Sequence, residues 1–191
     1  QTGLSRQRLD VRLNLPDCQP VAMRVHQRNR ARQWKDGEAE AYLSLPQSDW
    51  SKWLPERLTR QWNFSELKAG GELWVNWGKG ALQSGAIRLN APQLKGAFGE
   101  RKPIQINNLA LNGYFQRSTE GMLVTLDSLA MNFGETRWES RLQLRQTAAT
   151  DKAEELWHLQ ADRLDLTPLT PLINALGPLP EGVATAVERL K

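Results

Sequence analysis

Few residues in this sequence have types and spacing that could do chemistry. Cys18, the single cysteine, could serve as a thiolate nucleophile only with a base beside it. It stands between Pro16 and Pro20 with no such base nearby in sequence, and reads as a small residue in a turn. One cysteine also forbids an intrachain disulfide. His26 and His158 with Cys18 fall short of a typical zinc ligand set. Each histidine occupies the polar position of an alternating run, as a solvated strand residue would. Lys68-Ala69-Gly70-Gly71 lacks the spacing and the following Lys-Ser/Thr of a phosphate loop, and no Gly-x-Ser-x-Gly, His-Glu-x-x-His or Cys-x-x-Cys occurs. The carboxylates are spread along polar faces. No catalytic, metal or cofactor site is expected, and the chain reads as a non-enzyme.

Tryptophan is the unusual item. Five of the eight tryptophans fall between Trp50 and Trp77. Indole joins a large apolar body to one donor and suits a half-wet surface. Trp74 and Trp77 are equally consistent with an amphiphile-lining surface and with core packing, whereas Trp50 and Trp53 are expected to pack. Charge is also uneven. Residues 1–35 carry seven Arg and one Lys against Asp10 and Asp17, an excess of six positive charges, which leaves the remaining residues with an excess of two negative. Arg24, Arg28, Arg30 and Arg32 are expected to be exposed on the solvated face of strands. No aromatic platform surrounds them, so nucleic acid is not an expected partner.

The elements that must position these residues are strands. Alternation of period two runs through Leu9, Val11, Leu13; Val21, Met23, Val25; Ala39, Ala41, Leu43, Leu45; and Leu73, Val75, Trp77. It continues through Ile87, Leu89, Ala91, then Ile104 and Ile106, shifting phase near Asn107-Asn108 to Leu109 and Leu111. Further runs centre on Val124, Leu129, Leu142 and Leu159. Nine or ten strands, each with one wet face, predict an antiparallel sheet. Short connections such as Gly78-Lys79-Gly80 and Gly134-Glu135 predict an up-and-down meander. Segments 103–117 and 154–166 predict long strands, with bulges or bends at the phase shift and near Arg163.

Two interruptions predict short amphipathic helices, at 47–62 and 167–190. Each follows a strand and a proline: Leu45-Pro46 before Trp50, Trp53 and Leu54, and Thr167-Pro168 before Leu169, Leu172 and Leu176. Residues 38–77 and 159–191 thus form a weak internal repeat, in which the second copy stops where the strand Glu72–Trp77 would begin. The whole chain, 1–191, therefore reads as one fragment of a longer protein. A one-sided sheet with so little helix must cover its apolar face by curling. The expected fold is mainly β with minor α: a long antiparallel, strongly curved, trough-like sheet with short amphipathic helices.

The stretches Tyr42-Leu43-Ser44-Leu45-Pro46-Gln47-Ser48-Asp49-Trp50-Ser51-Lys52-Trp53-Leu54-Pro55, Gly70-Gly71-Glu72-Leu73-Trp74-Val75-Asn76-Trp77 and Leu159-Gln160-Ala161-Asp162-Arg163-Leu164-Asp165-Leu166-Thr167-Pro168-Leu169 resemble the central region of the AsmA-like family, in its YhdP-type branch, from Gram-negative envelopes. The resemblance covers roughly residues 38–190, and 1–37 by pattern alone. It implies a periplasmic body anchored in the inner membrane through parts absent from this sequence. It also implies a hydrophobic β-groove that carries phospholipids between the inner and outer membranes. The expected partners are phospholipid acyl chains, with envelope proteins as further candidates. Period two places Leu73, Val75 and Trp77 on one face, with Ile87, Leu89, Ile104 and Ile106 on nearby strands. These seven would line such a groove. The alternative is a structural or protein-interaction β-scaffold of the envelope with a packed core and no ligand groove.

Overall fold

The computed structural model describes residues 5–14, 19–29, 37–52, 62–148, 156–163, 165, 167–170 and 172. Among them nine strands pair in sequence order into one antiparallel open sheet. They are β1 (Ser5–Asn14), β2 (Pro20–Asn29), β3 (Glu38–Asp49), β4 (Trp62–Gly78), β5 (Ala81–Phe98), β6 (Ile104–Ser118), β7 (Gly121–Phe133), β8 (Thr136–Thr147) and β9 (Leu156–Ala161). The meander follows from tight hairpins. Lys79 and Gly80, the two residues between β4 and β5, both adopt positive φ (53° and 74°), the requirement of a type I′ turn whose twist matches its flanking strands. Gly134, at φ 59°, opens the two-residue connection from β7 to β8.

The strands exceed the usual five or six residues, β4 and β5 reaching 17 and 18. Such length is kept in register by local corrections. The expected phase shift near Asn107-Asn108 is present: Asn108 adopts φ 52°, and β6 slips against β7 between Asn107 and Ala110. Ile104 and Ile106 thereby reach the same packed cluster as Leu109, although their sequence phases differ.

Three expectations are corrected. Residues 47–62 do not begin as a helix. β3 continues past Pro46 to Asp49, a single 3₁₀ turn covers Trp50–Lys52, and Trp62 already belongs to β4; residues 53–61 lie outside the described residues. Pro46 is tolerated because the pairing of β3 with β4 slips between Leu45 and Ser48, so the missing N–H falls in a bulge. The strand expected from Glu72 starts ten residues earlier, and residues 68–71 already lie within β4. Gly70 and Gly71 have a steric role there: a Cβ on Gly70 would meet the Gln47 backbone N at 2.8 Å, and one on Gly71 would collide with the Arg88 carbonyl oxygen. Finally, the strand expected over 154–166 is only six residues within the described range. At its end Asp162 offers its carboxylate to the ladder, Oδ1 accepting from the Arg141 backbone N at 2.8 Å while Asp162 N still donates to the Arg141 carbonyl at 3.2 Å.

After β9 the described residues make a turn at 167–169, and Thr170 and Leu172 are helical. Leu169 and Leu172 pack against a buried cluster of Ile104, Ile106, Met131 and Trp138. The predicted helix beyond 172, like Cys18, Arg30, Arg32 and Trp53, lies outside the described residues.

Candidate functional site

Because paired residues in an antiparallel ladder share a face, the register assigns every strand a side. Leu73 lies opposite Leu43 on β3 and Ile87 on β5; Ile87 in turn lies opposite Gly113, and Gly113 opposite Leu126. Val75 lies opposite Ala41, and Leu89 opposite Gly71 and Leu111. Towards β1 the same side carries Met23 and Val25, then Val11 and Leu9. Towards β9 it carries Leu142 and Leu144, then Ala161 and Leu159. One apolar face therefore spans all nine strands, built by alternation strand by strand.

Coverage of that face is uneven, and this decides what each expected site residue touches. Ile104 and Ile106 are 8% and 5% exposed, enclosed by Met131, Trp138, Leu94, Phe133 and the overlying Leu169 and Leu172. They belong to a packed core. Leu73 and Trp77 are each 36% exposed, and Val75, Ile87 and Leu89 are half-buried. Leu73, Val75, Ile87 and Leu89 form one contiguous patch at the middle of the sheet, and Trp77 extends it opposite Ala39. Exposure rises further at both edges, to 60% at Leu13 and 63% at Leu159.

The covering segment is held by polar groups on the same strands. Trp138 Nε1 donates to the Asp165 carbonyl at 2.8 Å, and Ser140 Oγ to the Arg163 carbonyl at 2.5 Å. Asp162, accepting from Arg141 N with Ser140 Oγ also beside it, has its carboxyl held below the ordinary value by those hydrogen bonds, against a smaller opposing effect of burial. Sequence reasoning missed this latch. Its components are single polar residues far apart in the chain, and only the pairing of β8 with β9 joins them.

The opposite face is polar and cross-linked strand to strand. Arg24 pairs with Asp10 at 2.8 Å, Arg88 with Glu72 at 3.3 Å, and Asn76 bonds Ser84 at 2.8 Å. Arg24 is exposed as expected, yet it is ion-paired; Arg28 belongs to β2, and its side chain lies outside the described set. His26 and His158 are exposed. Trp50 packs as expected, its Nε1 donating to the Ala69 carbonyl at 2.7 Å. Among the described residues no group of three or more His, Cys, Asp or Glu could hold a metal ion, and no helix is long and apolar enough to cross a membrane.

No protein-family model, curated protein or solved structure matches the chain.

Proposed function

We propose that the open part of the apolar face is a lipid-contacting surface, and that this chain is a segment of an AsmA-like conduit carrying phospholipids across the periplasm of a Gram-negative envelope. In this reading the sheet is strongly curved with the apolar face inside, a short amphipathic helix beginning near Thr170 caps one end of it, and an inner-membrane anchor lies elsewhere in the protein. The work is non-enzymatic. Acyl chains lie along Leu73, Val75, Trp77, Ile87 and Leu89 and exchange one weak apolar contact for the next. Each buried CH₂ contributes about 0.8 kcal/mol, enough to hold a long chain while leaving neighbouring positions nearly equivalent.

The observation that carries the reading is the uneven coverage. The same face is sealed over Ile104 and Ile106 by the chain's own leucines but open at Leu73 and Trp77. An apolar face this continuous, exposed across several strands, needs a partner to shield it from water.

The sealed cluster favours a second reading for its own end of the sheet, that of a packed scaffold. Ile104 and Ile106 are accordingly withdrawn from the open path and kept as its wall. The test is photo-crosslinking in the bacterial envelope from a benzoylphenylalanine placed at Val75, Leu89, Ile104 or Arg88. The conduit gives phospholipid adducts at Val75 and Leu89 and few at Ile104 or on the polar face at Arg88. Protein adducts without lipid at Val75 and Leu89 would replace the conduit with the scaffold.

A further inference from the structure

The polar face carries a pattern that lipid contact does not use. Strand register sets Arg24, Tyr42, Trp74, Ala86 and Tyr114 side by side in one row from β2 to β6. The Tyr42 and Trp74 rings touch, with centroids 5.3 Å apart and planes tilted by 37°. Trp74 and Tyr114 are 38% and 39% exposed, a large apolar display for the polar side of a sheet. Ala86 stands between them and is short. Two aromatic side chains are thereby mounted two strand spacings apart, about 10 Å, over a low floor. A shallow depression of about 230 Å³ opens beside the aromatic pair, lined among others by Arg24, His26, Glu40, Tyr42, Trp74 and Asn76.

The electrostatics around the rings narrow the ligand. At the β2 end of the row Asp10 is shared by Arg24 at 2.8 Å and Arg8 at 2.6 Å, two cations to one carboxylate; beside the exposed rings Arg88 is matched by Glu72, which also accepts from the Tyr42 hydroxyl at 2.8 Å. A polyanion needs unmatched cations along its whole path, and between Trp74 and Tyr114 the one cation beside the row among the described residues, Arg88, is matched. A ligand for this row needs flat apolar faces to stack on indole and phenol, hydroxyls to meet the carboxylate, guanidinium and amide edges, and no net charge. It must also be extended, because the row crosses strand after strand.

We propose that this face binds a linear, uncharged, β-linked glycan running across the strands, with sugar rings stacked on Trp74 and Tyr114 and hydroxyls bonded by Glu72, Asn76 and Arg88. The ring spacing is close to the repeat of alternate units in an extended β-1,4-linked chain, so one unit bridges the Ala86 floor between two stacked ones. This site lies on the side of the sheet opposite the apolar face and is independent of the lipid reading.

The test uses the 191-residue chain titrated with cellohexaose and with chitohexaose, followed by calorimetry and by tryptophan fluorescence, with single-stranded DNA as the charged comparison. The wild type binds at least one of the two hexasaccharides. Trp74→Ala and Tyr114→Ala each weaken binding about tenfold, as expected for one lost stacking contact. Tyr114→Phe, which keeps the ring, binds nearly as the wild type does, and Trp77→Ala on the apolar face leaves binding unchanged. Ala86→Gln, which fills the floor without touching either ring, weakens binding and keeps the fold checkable if an aromatic variant melts early. Absence of binding to both hexasaccharides at millimolar concentration overturns the proposal. So does wild-type affinity in both Trp74→Ala and Tyr114→Ala, or DNA binding that depends on Trp74 where the glycans do not bind.

Discussion

Replacing one leucine and one isoleucine of the same face by alanine separates its sealed part from its open part. Ile106 is 5% exposed and packed in the cluster roofed by Leu169 and Leu172. Ile106→Ala removes buried carbons worth about 2 kcal/mol in transfer terms and leaves a void walled by rigid strands, for a total of about 3 kcal/mol. Leu73 is 36% exposed. Leu73→Ala forfeits only the contact with its strand neighbours and opens no closed cavity, so the cost is about 1 kcal/mol. Urea unfolding of both variants beside the wild type, with unchanged m-values, measures the difference directly. Equal losses would refute the reasoning, because they would mean that Leu73 is as enclosed as Ile106 and that the open patch is core. The pair Leu73→Asp and Ile106→Asp extends the argument to function. A carboxylate at 73 keeps its hydration and leaves the fold standing while it blocks an acyl path. At 106 it is desolvated among Met131 and Trp138, and the protein unfolds.

Three further outcomes are expected. Thr125 is buried, and its hydroxyl has no hydrogen-bond partner among the described residues, so Thr125→Val should raise stability by about 1 kcal/mol in thermal or urea melts. Asp49 Oδ1 accepts from Ser51 Oγ at 2.6 Å, Ser51 N at 3.1 Å and Leu67 N at 3.2 Å, led by the Ser51 hydroxyl in holding the carboxyl below its ordinary value. Its contribution to stability is complete above the unfolded value near 3.8 and is lost as pH falls through the lower native value; Asp49→Asn should flatten this acid limb in pH-dependent melts. Ser140→Ala removes the bond to Arg163 O, and hydrogen exchange at residues 165–172 should accelerate more than exchange in β4 or β5.

The strands were legible because alternation is imposed residue by residue. Wherever one face is apolar and one is wet, period two appears in the chain itself, and the phase slip at Asn107-Asn108 appears as a bulge. The errors share a cause. Pro46 reads as a breaker, and the expected strand starts only after the pair Gly70-Gly71, because proline and paired glycines locally interrupt strands. In the sheet they are facing parts of one irregularity: β3 slips register after Leu45, and its Pro46-Gln47 backbone approaches a strand that has no Cβ at Gly70. Neither half signals the other, being more than 20 residues away. The candidate site divided for the same reason. Period two assigns Ile104 and Leu73 to one face equally well, and it carries no information about the distant segment of Leu169 and Leu172 that covers one and not the other.

That division changes how the face would work. A uniformly open apolar sheet would be an aggregation hazard across its whole width, and a uniformly sealed one would carry nothing. Here the cover belongs to β6, β7 and β8, where Trp138 and Ser140 hold the covering segment by its backbone carbonyls, while β3, β4 and β5 keep large side chains half in water. On the other side of the same strands, matched charges and paired amides replace apolar contacts. A strand with two differently specialised faces cannot slip by one residue without exchanging them. The length of β4 and β5 and the repeated local register corrections between them therefore serve one end: they hold the open patch on one face and the aromatic row on the other along the same stretch of backbone.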